Sequence, residues 1–259
     1  MEKKLIFDSN CKNYDRWRPR YCKKLFNDIL TYSKIDKGSV AVEIGSGTGQ
    51  ATEPILETGC KFISVETGSN LCCYLQNKYA QYKNFSVENI EFEKFIIDDN
   101  SVDLVYAATA FHWISEEIGY KKVYNILKTD GTLALFWNRP FVNRKDDPLH
   151  QKIQQIYDCY RPEQANKPKI DIEHDKKRYE SISSLIRQQG FRDFQYSIYK
   201  KTRSFTADNY IYLLNTYSDH KSLKASIKYE FENEIKKAII DDGGIIKIYD
   251  DMDLYLGRK

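Results

Sequence analysis

"VAVEIGSGTGQATEPIL", Val40 to Leu56, decides the fold. Its first five residues suit a strand buried on both faces, and they run straight into Gly45, Gly47 and Gly49. Glycines on alternate positions let the backbone turn tightly and lie close to a ligand. Gln50 stands where the dinucleotide fingerprint GxGxxG requires its last glycine, so the spacing here is GxGxG. Glu43 comes two residues before the first glycine. A carboxylate at that strand tip repels a pyrophosphate and favours a cation.

Working outward, apolar β-rich runs alternate with amphipathic segments from Val40 to Asn138, the pattern of a parallel sheet with crossover helices. Strands are expected at Val40–Ile44, Phe62–Glu66, Phe85–Glu88, Val102–Ala107 and Thr132–Trp137. Helices are expected near Gln50–Glu57, Asn70–Tyr82 and Ser115–Leu127, the last ending at a turn supplied by Gly131. Before this core, "YDRWRPRYCKKLFNDIL" leads into a helix that Pro19 is placed to open. After it, Arg139–Lys177 reads as a polar helical insertion. Tyr179–Gln189 reads as a helix stopping at Gly190, Phe191–Phe205 as a strand, Ala207–Tyr217 and Leu223–Ile240 as helices, and Ile245–Leu256 as a final strand after Gly243 and Gly244. The expectation is one elaborated α/β domain over residues 1–259. Its core spans about 36–138, its N-terminal arm 1–35, and its helical lid segments about 139–180 and 206–242.

Bulk properties narrow the function. The chain has 259 residues, 41% hydrophobic and 30% charged, as an ordinary globular protein does. Its 40 basic and 37 acidic residues give a net charge of +3, too balanced to signal a nucleic-acid or membrane partner. No run approaches bilayer length and the N-terminus lacks an export signal, so a cytoplasmic location is expected. The six cysteines lack CxxC spacing and neighbouring histidines, so neither a metal site nor a disulfide framework is expected.

Two further strand ends carry chemistry. Glu66 closes the second strand, where a carboxylate can accept hydrogen bonds from both hydroxyls of a ribose. Glu91 is placed to accept from an adenine amino group, while Phe92 offers a backbone N–H and a ring face. Backbone carbonyls around Ala107 to Thr109 fall at the carboxyl ends of the strands, where open α/β sheets bind ligands.

These residues carry a resemblance. VEIGSGTG, Glu66, "DDNSVDLVYAATAFHWI" and "LKTDGTLALFWN" together resemble the class I S-adenosylmethionine-dependent methyltransferases. Within that family the chain looks most like the small-molecule type 11 branch that includes trans-aconitate methyltransferases. The motifs run from about Tyr14 to Asn138. "YDRWRPRY", "LLNTYSDH" and "LYLGRK" are also similar to members whose substrate is unassigned. The resemblance implies a Rossmann-like fold, a seven-stranded, mostly parallel sheet whose last strand is antiparallel and inserted beside the fifth and sixth. It implies S-adenosyl-L-methionine as cofactor, with Gly45 and Gly47 near the methionine part, Glu43 near the cationic amino-acid end, Glu66 on the ribose, Glu91 and Phe92 on the adenine, and Gly49 and Ala107 also among the cofactor-binding residues. Tyr14 and Arg18 belong to the arm that covers the cofactor in relatives.

On the acceptor side, His112 is the candidate catalytic residue, as a base or to orient the acceptor. Trp113, Arg139, Tyr217 and His220 are candidate acceptor contacts, Arg139 as an anion clamp. A small-molecule acceptor is expected, with carboxylates among the candidates because an ionised carboxylate needs no base. The alternatives are methylation of RNA or protein, or a non-catalytic module that only binds S-adenosylmethionine.

Overall fold

Strand β1 (Val40–Ile44) lies between β2 (Lys61–Glu66) and β4 (Val102–Ala108), parallel to both. The computed structural model describes residues 11–141, 144, 146–161, 175–221 and 223–259. β3 (Phe85–Asn89) pairs parallel with β2, and β5 (Leu127–Phe141) with β4. The last strand, β7 (Ile245–Arg258), inserts antiparallel between β5 and β6 (Arg192–Thr206), so the sheet runs β3-β2-β1-β4-β5-β7-β6. This is the expected seven-stranded, mostly parallel sheet.

The apolar strands are explained by burial on both faces. Val42, Val105 and Leu133 face helices α5 (Glu116–Ile126) and α7 (Lys176–Gln188) on one side. Ala41, Leu104 and Ala134, one residue away in each strand, face α2 (Lys23–Ser33), α3 (Glu53–Leu56) and α4 (Ser69–Lys78) on the other. Successive strand residues point to opposite faces, so neither face tolerates a polar alternation.

The last three strands are long, and their ends extend beyond the cofactor-side core. Phe141 pairs with Tyr249, and Thr206 with Ile245. Ile246 and Ile248 there pack with α6 (Pro148–Tyr160), α8 (Ala207–Leu214) and α10 (Ala225–Asp241) in a separate apolar cluster that roofs one side of the sheet. The short helix α9 (Ser218–Lys221) follows α8.

Several expected boundaries differ. α1 (Cys11–Trp17) ends before Pro19, and α2 begins at Lys23, so Pro19 lies between two helices and opens neither. The helix after the glycine loop is only Glu53–Leu56. β5 starts at Leu127, earlier than Thr132, with a register shift opposite Val102 and Leu104; Asp130, not Gly131, takes the left-handed backbone there (φ 65°). Arg139 to Phe141 continue that strand instead of beginning the insertion. Residues 162–174 of the insertion, with Pro162 and Pro168, and residues 1–10 lie outside the described residues.

Candidate active site

Strand order reverses at β1, whose neighbours β2 and β4 lead away in opposite directions, and ligands bind in such a crevice at the carboxyl ends of the strands. A cavity of about 300 Å³ opens there. Its floor is the glycine loop, and its walls are the strand ends at Glu66, Phe92 and Ala108 to Ala110. The N-terminal arm covers it through Tyr14, Arg18, Pro19 and Tyr21. Asp15 pins that arm to the core by bonding Lys78 at 2.8 Å, and meets Arg20 within the arm at 2.9 Å. Burial works to raise the Asp15 pKa, but the two cations outweigh it and hold the carboxyl below its ordinary range.

Gly45 follows β1 with φ 67°, and its N–H donates to the Val65 carbonyl at 2.8 Å. A Cβ at this position would lie 2.6 Å from the Cβ of Ala110, so only glycine lets the loop and the β4 end close together. The Gly47 N–H donates to one oxygen of Glu66 at 2.9 Å. The other oxygen accepts from Thr67 and Gly68 at 2.8 and 3.0 Å. Burial raises the Glu66 pKa, and these three backbone donors oppose that shift. The carboxylate is therefore aimed and held before any ligand arrives.

Glu43 is fully buried. One of its oxygens accepts from Thr52 at 2.5 Å, and the other has no hydrogen-bond partner. Burial pushes its pKa up to about 7. An incompletely bonded carboxylate in the wall of a pocket is stabilised by a cation entering it. A nucleoside with a positively charged amino-acid tail fits this donor and acceptor set: a glycine cradle, a ribose-accepting carboxylate, an aromatic wall at Phe92, and a second carboxylate for the cation. The S-adenosylmethionine implied by the resemblance has those groups.

The sign of the Glu43 shift sets a pH dependence. Its folded pKa lies above the ordinary 4.5, so the folded state holds this proton more tightly than the unfolded state. The contribution is fully present below about pH 4.5 and is lost as pH rises through about 7, a total of about 3 kcal/mol for this group. Glu43→Gln should therefore gain stability relative to the native chain at pH 8 and not at pH 4, read by urea unfolding at both values. Equal differences at the two pH values would refute the shift.

His112 sits in a 3₁₀ turn, Phe111–Trp113, after β4, accessible at the mouth of the cavity. Its Nδ1 accepts from the Trp137 indole N–H at 3.2 Å. Indole is a donor only, so Nδ1 must present a lone pair and the ring hydrogen of the neutral form belongs to Nε2. Burial lowers the His112 pKa, with Arg178 adding to the effect, which favours the neutral ring. This imidazole offers a hydrogen-bond donor and has no vacant nitrogen to take a proton. Nitrogen NMR should show Nδ1 as the unprotonated ring nitrogen and Nε2 as the protonated one at pH 7, and Trp137→Phe should mix the two tautomers. A protonated Nδ1 in the native chain would contradict the assignment.

Other expected contacts are distributed less simply. Tyr14, Arg18, Glu43, Gly45, Gly47, Glu66, Phe92, His112, Trp113 and Tyr217 all line the cavity. Gly49 does not. It lies at the back of the loop, where a Cβ would meet the Tyr79 ring at 2.6 to 3.1 Å. Glu91 pairs with Lys94 at 2.7 Å outside the cavity, and Glu93 takes a place in the wall. Ala107 is wholly buried in the core; Ala108 and Thr109 reach the cavity instead. Arg139 points to the opposite face of β5, where its charge meets Asp175 and Asp253 at 3.4 Å each. Even-numbered Asn138 and Pro140 face the cavity. His220 lines a neighbouring chamber, separate from this one.

Some contacts around the cavity had no place in the sequence reading. Thr109 has a left-handed backbone (φ 55°), and its hydroxyl meets Tyr21 at 2.6 Å and accepts from the Asn138 N–H at 3.1 Å. That junction ties the arm to the ends of β4 and β5. Arg18 lies between the Tyr14 and Tyr217 rings at 4.8 and 4.4 Å, and donates to the Thr216 carbonyl at 3.1 Å. It joins arm to lid over the cavity.

Comparison with known proteins agrees with this geometry. A family model described as a methyltransferase domain matches residues 42–135, the stretch from the glycine strand into β5. An uncharacterized methyltransferase and an uncharacterized methyltransferase-like protein of Schizosaccharomyces pombe are similar along most of their length. One is 24% identical over 90% of this chain and 86% of its own, the other 28% identical over 82% and 77%. The fold is similar to that of phosphoethanolamine N-methyltransferase 2 from Haemonchus contortus, solved with S-adenosylhomocysteine, at 12% identity and a TM-score of 0.56 over 100% of this chain and 60% of that one. These likenesses reach the family as a whole and go no further toward its trans-aconitate branch. The glycine loop, the sheet order and the matched residues together support an S-adenosylmethionine-dependent methyltransferase of class I.

Proposed function

We propose that this methyltransferase acts on the oxygen of a small monocarboxylic acid. The observation that carries the reading is the Trp137–His112 hydrogen bond, which leaves His112 a donor at the cavity mouth. An amine or carbon acceptor must lose a proton, and His112 in this tautomer cannot take it. A carboxylate is already ionised at neutral pH, needs no base, and accepts the Nε2–H that His112 offers. When bound, S-adenosylmethionine supplies a sulfonium-activated methyl, and the acceptor oxygen gains the C–O bond as the C–S bond breaks with its electron pair left on sulfur.

The chain's own residues position the partners and exclude water. Gly45 and Gly47 cradle the methionine part, Glu66 holds the ribose, and Phe92 with Glu93 takes the adenine, Glu93 replacing Glu91 in that role. Glu43 faces the ammonium. Tyr14 and Arg18 close the arm over the cofactor, while Trp113 and Tyr217 wall the acceptor side.

Charge limits the acceptor further. Among the described lining residues Arg18 is the one arginine or lysine, against Glu43, Glu66 and Glu93. A di- or tricarboxylate, or a nucleic-acid phosphate, would enter a wall with a carboxylate surplus, so a singly charged acceptor is favoured over trans-aconitate-like acids and over RNA. No helix among the described residues is long and apolar enough to cross a membrane.

The test is incubation with methyl-labelled cofactor and a metabolite extract. Labelled product should release its label as methanol in mild alkali, as methyl esters do. Label stable to alkali would overturn the carboxylate reading. Tight cofactor binding with no labelled product would favour the pure binding module.

A further inference from the structure

Tyr217 and Pro140 form walls of two cavities. One is the cavity already described, and the other is a chamber of about 180 Å³ beneath the lid. Ile153 and Tyr157 of α6, Leu213 and Leu214 of α8, and Ile248 of β7 also line it. Its charged rim is neutralised locally, since Asp219 bonds Arg161 at 2.7 Å. His220 also lines it, 3% exposed, with Nε2 bonded to the Tyr157 hydroxyl at 2.9 Å. Nδ1 of that ring is buried with no hydrogen-bond partner. Burial holds the His220 pKa well below its ordinary value, so the ring is neutral and brings no charge into the chamber.

An unsatisfied buried nitrogen destabilises the fold, and an apolar chamber beside a polar one costs the packing that would otherwise fill it. Both costs are recovered when a ligand fills the space and meets the nitrogen. We infer that this chamber receives the hydrocarbon body of the acceptor, entering past Tyr217 and Pro140, with one hydrogen-bonding group of that body meeting Nδ1 of His220. The acceptor class is therefore an apolar monocarboxylic acid bearing a single polar group away from its carboxyl end. The inference rests on the acceptor reading above and narrows it. A second carboxylate is disfavoured in the chamber because no lysine or arginine is among its described lining residues.

The experiment measures binding apart from turnover. Full-length protein loaded with S-adenosylhomocysteine is titrated calorimetrically with straight-chain acids from hexanoate to decanoate, their ω-hydroxy counterparts, and succinate. Saturable binding of at least one chain length is expected, with succinate inert. At the best length the hydroxylated acid should bind more tightly by a factor on the order of five. Leu214→Trp, which fills the chamber, should weaken acid binding at least about tenfold while S-adenosylhomocysteine still binds, a sign that the fold is intact. His220→Leu serves as a second variant if the first does not fold, and should erase the preference for the hydroxylated acid.

Binding of succinate over every longer acid overturns the inference. So does a folded protein that binds S-adenosylhomocysteine and none of the longer acids, or acid binding indifferent to both variants. Acid that binds in the chamber but is never methylated sinks the carboxylate reading and leaves the chamber assignment standing.

Discussion

Glu66→Ala is expected to weaken S-adenosylhomocysteine binding by at least about a hundredfold. A buried carboxylate that accepts two ribose hydroxyls contributes about 1.5–3 kcal/mol through each charge-assisted bond. The substitution acts a second way, because Glu66 also fixes the loop. Gly47, Thr67 and Gly68 all donate to it, and alanine would leave those N–H groups to water or to nothing. Stability should fall too, by about 1–3 kcal/mol. Glu66→Gln separates the two effects: its amide oxygen can keep some of the backbone donors, so it should recover more stability than affinity. Calorimetric titration of both variants, below their unfolding transitions, provides the check. Affinity within a few-fold of the native chain for Glu66→Ala would remove the residue from the cofactor site.

The glycine loop should respond unequally to alanine. Gly45→Ala forces a side chain to within 2.6 Å of Ala110 at a positive φ, where the contact atom is a short side chain on the next loop with no rotamer to yield. The left-handed conformation alone costs about 1–2 kcal/mol and the overpacking about 1–3 kcal/mol more. Because the displaced segment is the cavity floor, cofactor binding should be lost along with stability. Gly49→Ala meets the Tyr79 ring and should cost similar stability, with a smaller loss of affinity because Gly49 is outside the cavity. Gly47→Ala finds its nearest atoms at 3.4 and 3.5 Å and should be the mildest in stability, at about the backbone cost alone. Thermal unfolding and titration of the three variants test the ranking; a Gly45 variant as stable and as tight as the Gly47 variant contradicts the geometry.

Much of the fold is legible in the chain because its strands are apolar on both faces. Val40–Ile44 and Lys61–Glu66 could be read almost to the residue from that property. The strand ends were harder, since a one-residue error there moves a side chain from one face to the other. Arg139 illustrates this. It follows Asn138 along β5, but alternation sends it to Asp253 while Asn138 turns to the cavity. Leu135 and Trp137, which share its parity along the strand, lie in the core on that opposite face.

Glu91 and Glu93 differ in the same way. Both are acidic and two apart, but the turn at Phe92–Lys94 is 3₁₀, so its carboxylates do not share a face as strand alternation would suggest. Other features could not be read locally at all. Thr109, Tyr21 and Asn138 meet across separations of 88 and 29 residues, and the Trp137–His112 bond spans 25. Pairing of that kind comes from strand order, and a histidine's tautomer depends on the partner it finds there. His220 shows the limit from the other direction: its chemistry was visible, but whether it joined the main cavity or a chamber beside it depended on how α8 and α9 pack against β7.

The central claim is that the glycine bend, set between Glu43 and Glu66, accommodates a cationic sulfonium nucleoside and rejects a diphosphate. Titrating one preparation of the protein with S-adenosylmethionine, S-adenosylhomocysteine and NAD⁺ tests it most directly. Saturable binding of the first two, with no response to NAD⁺, is the predicted result; binding of NAD⁺ without response to either sulfur nucleoside would contradict it.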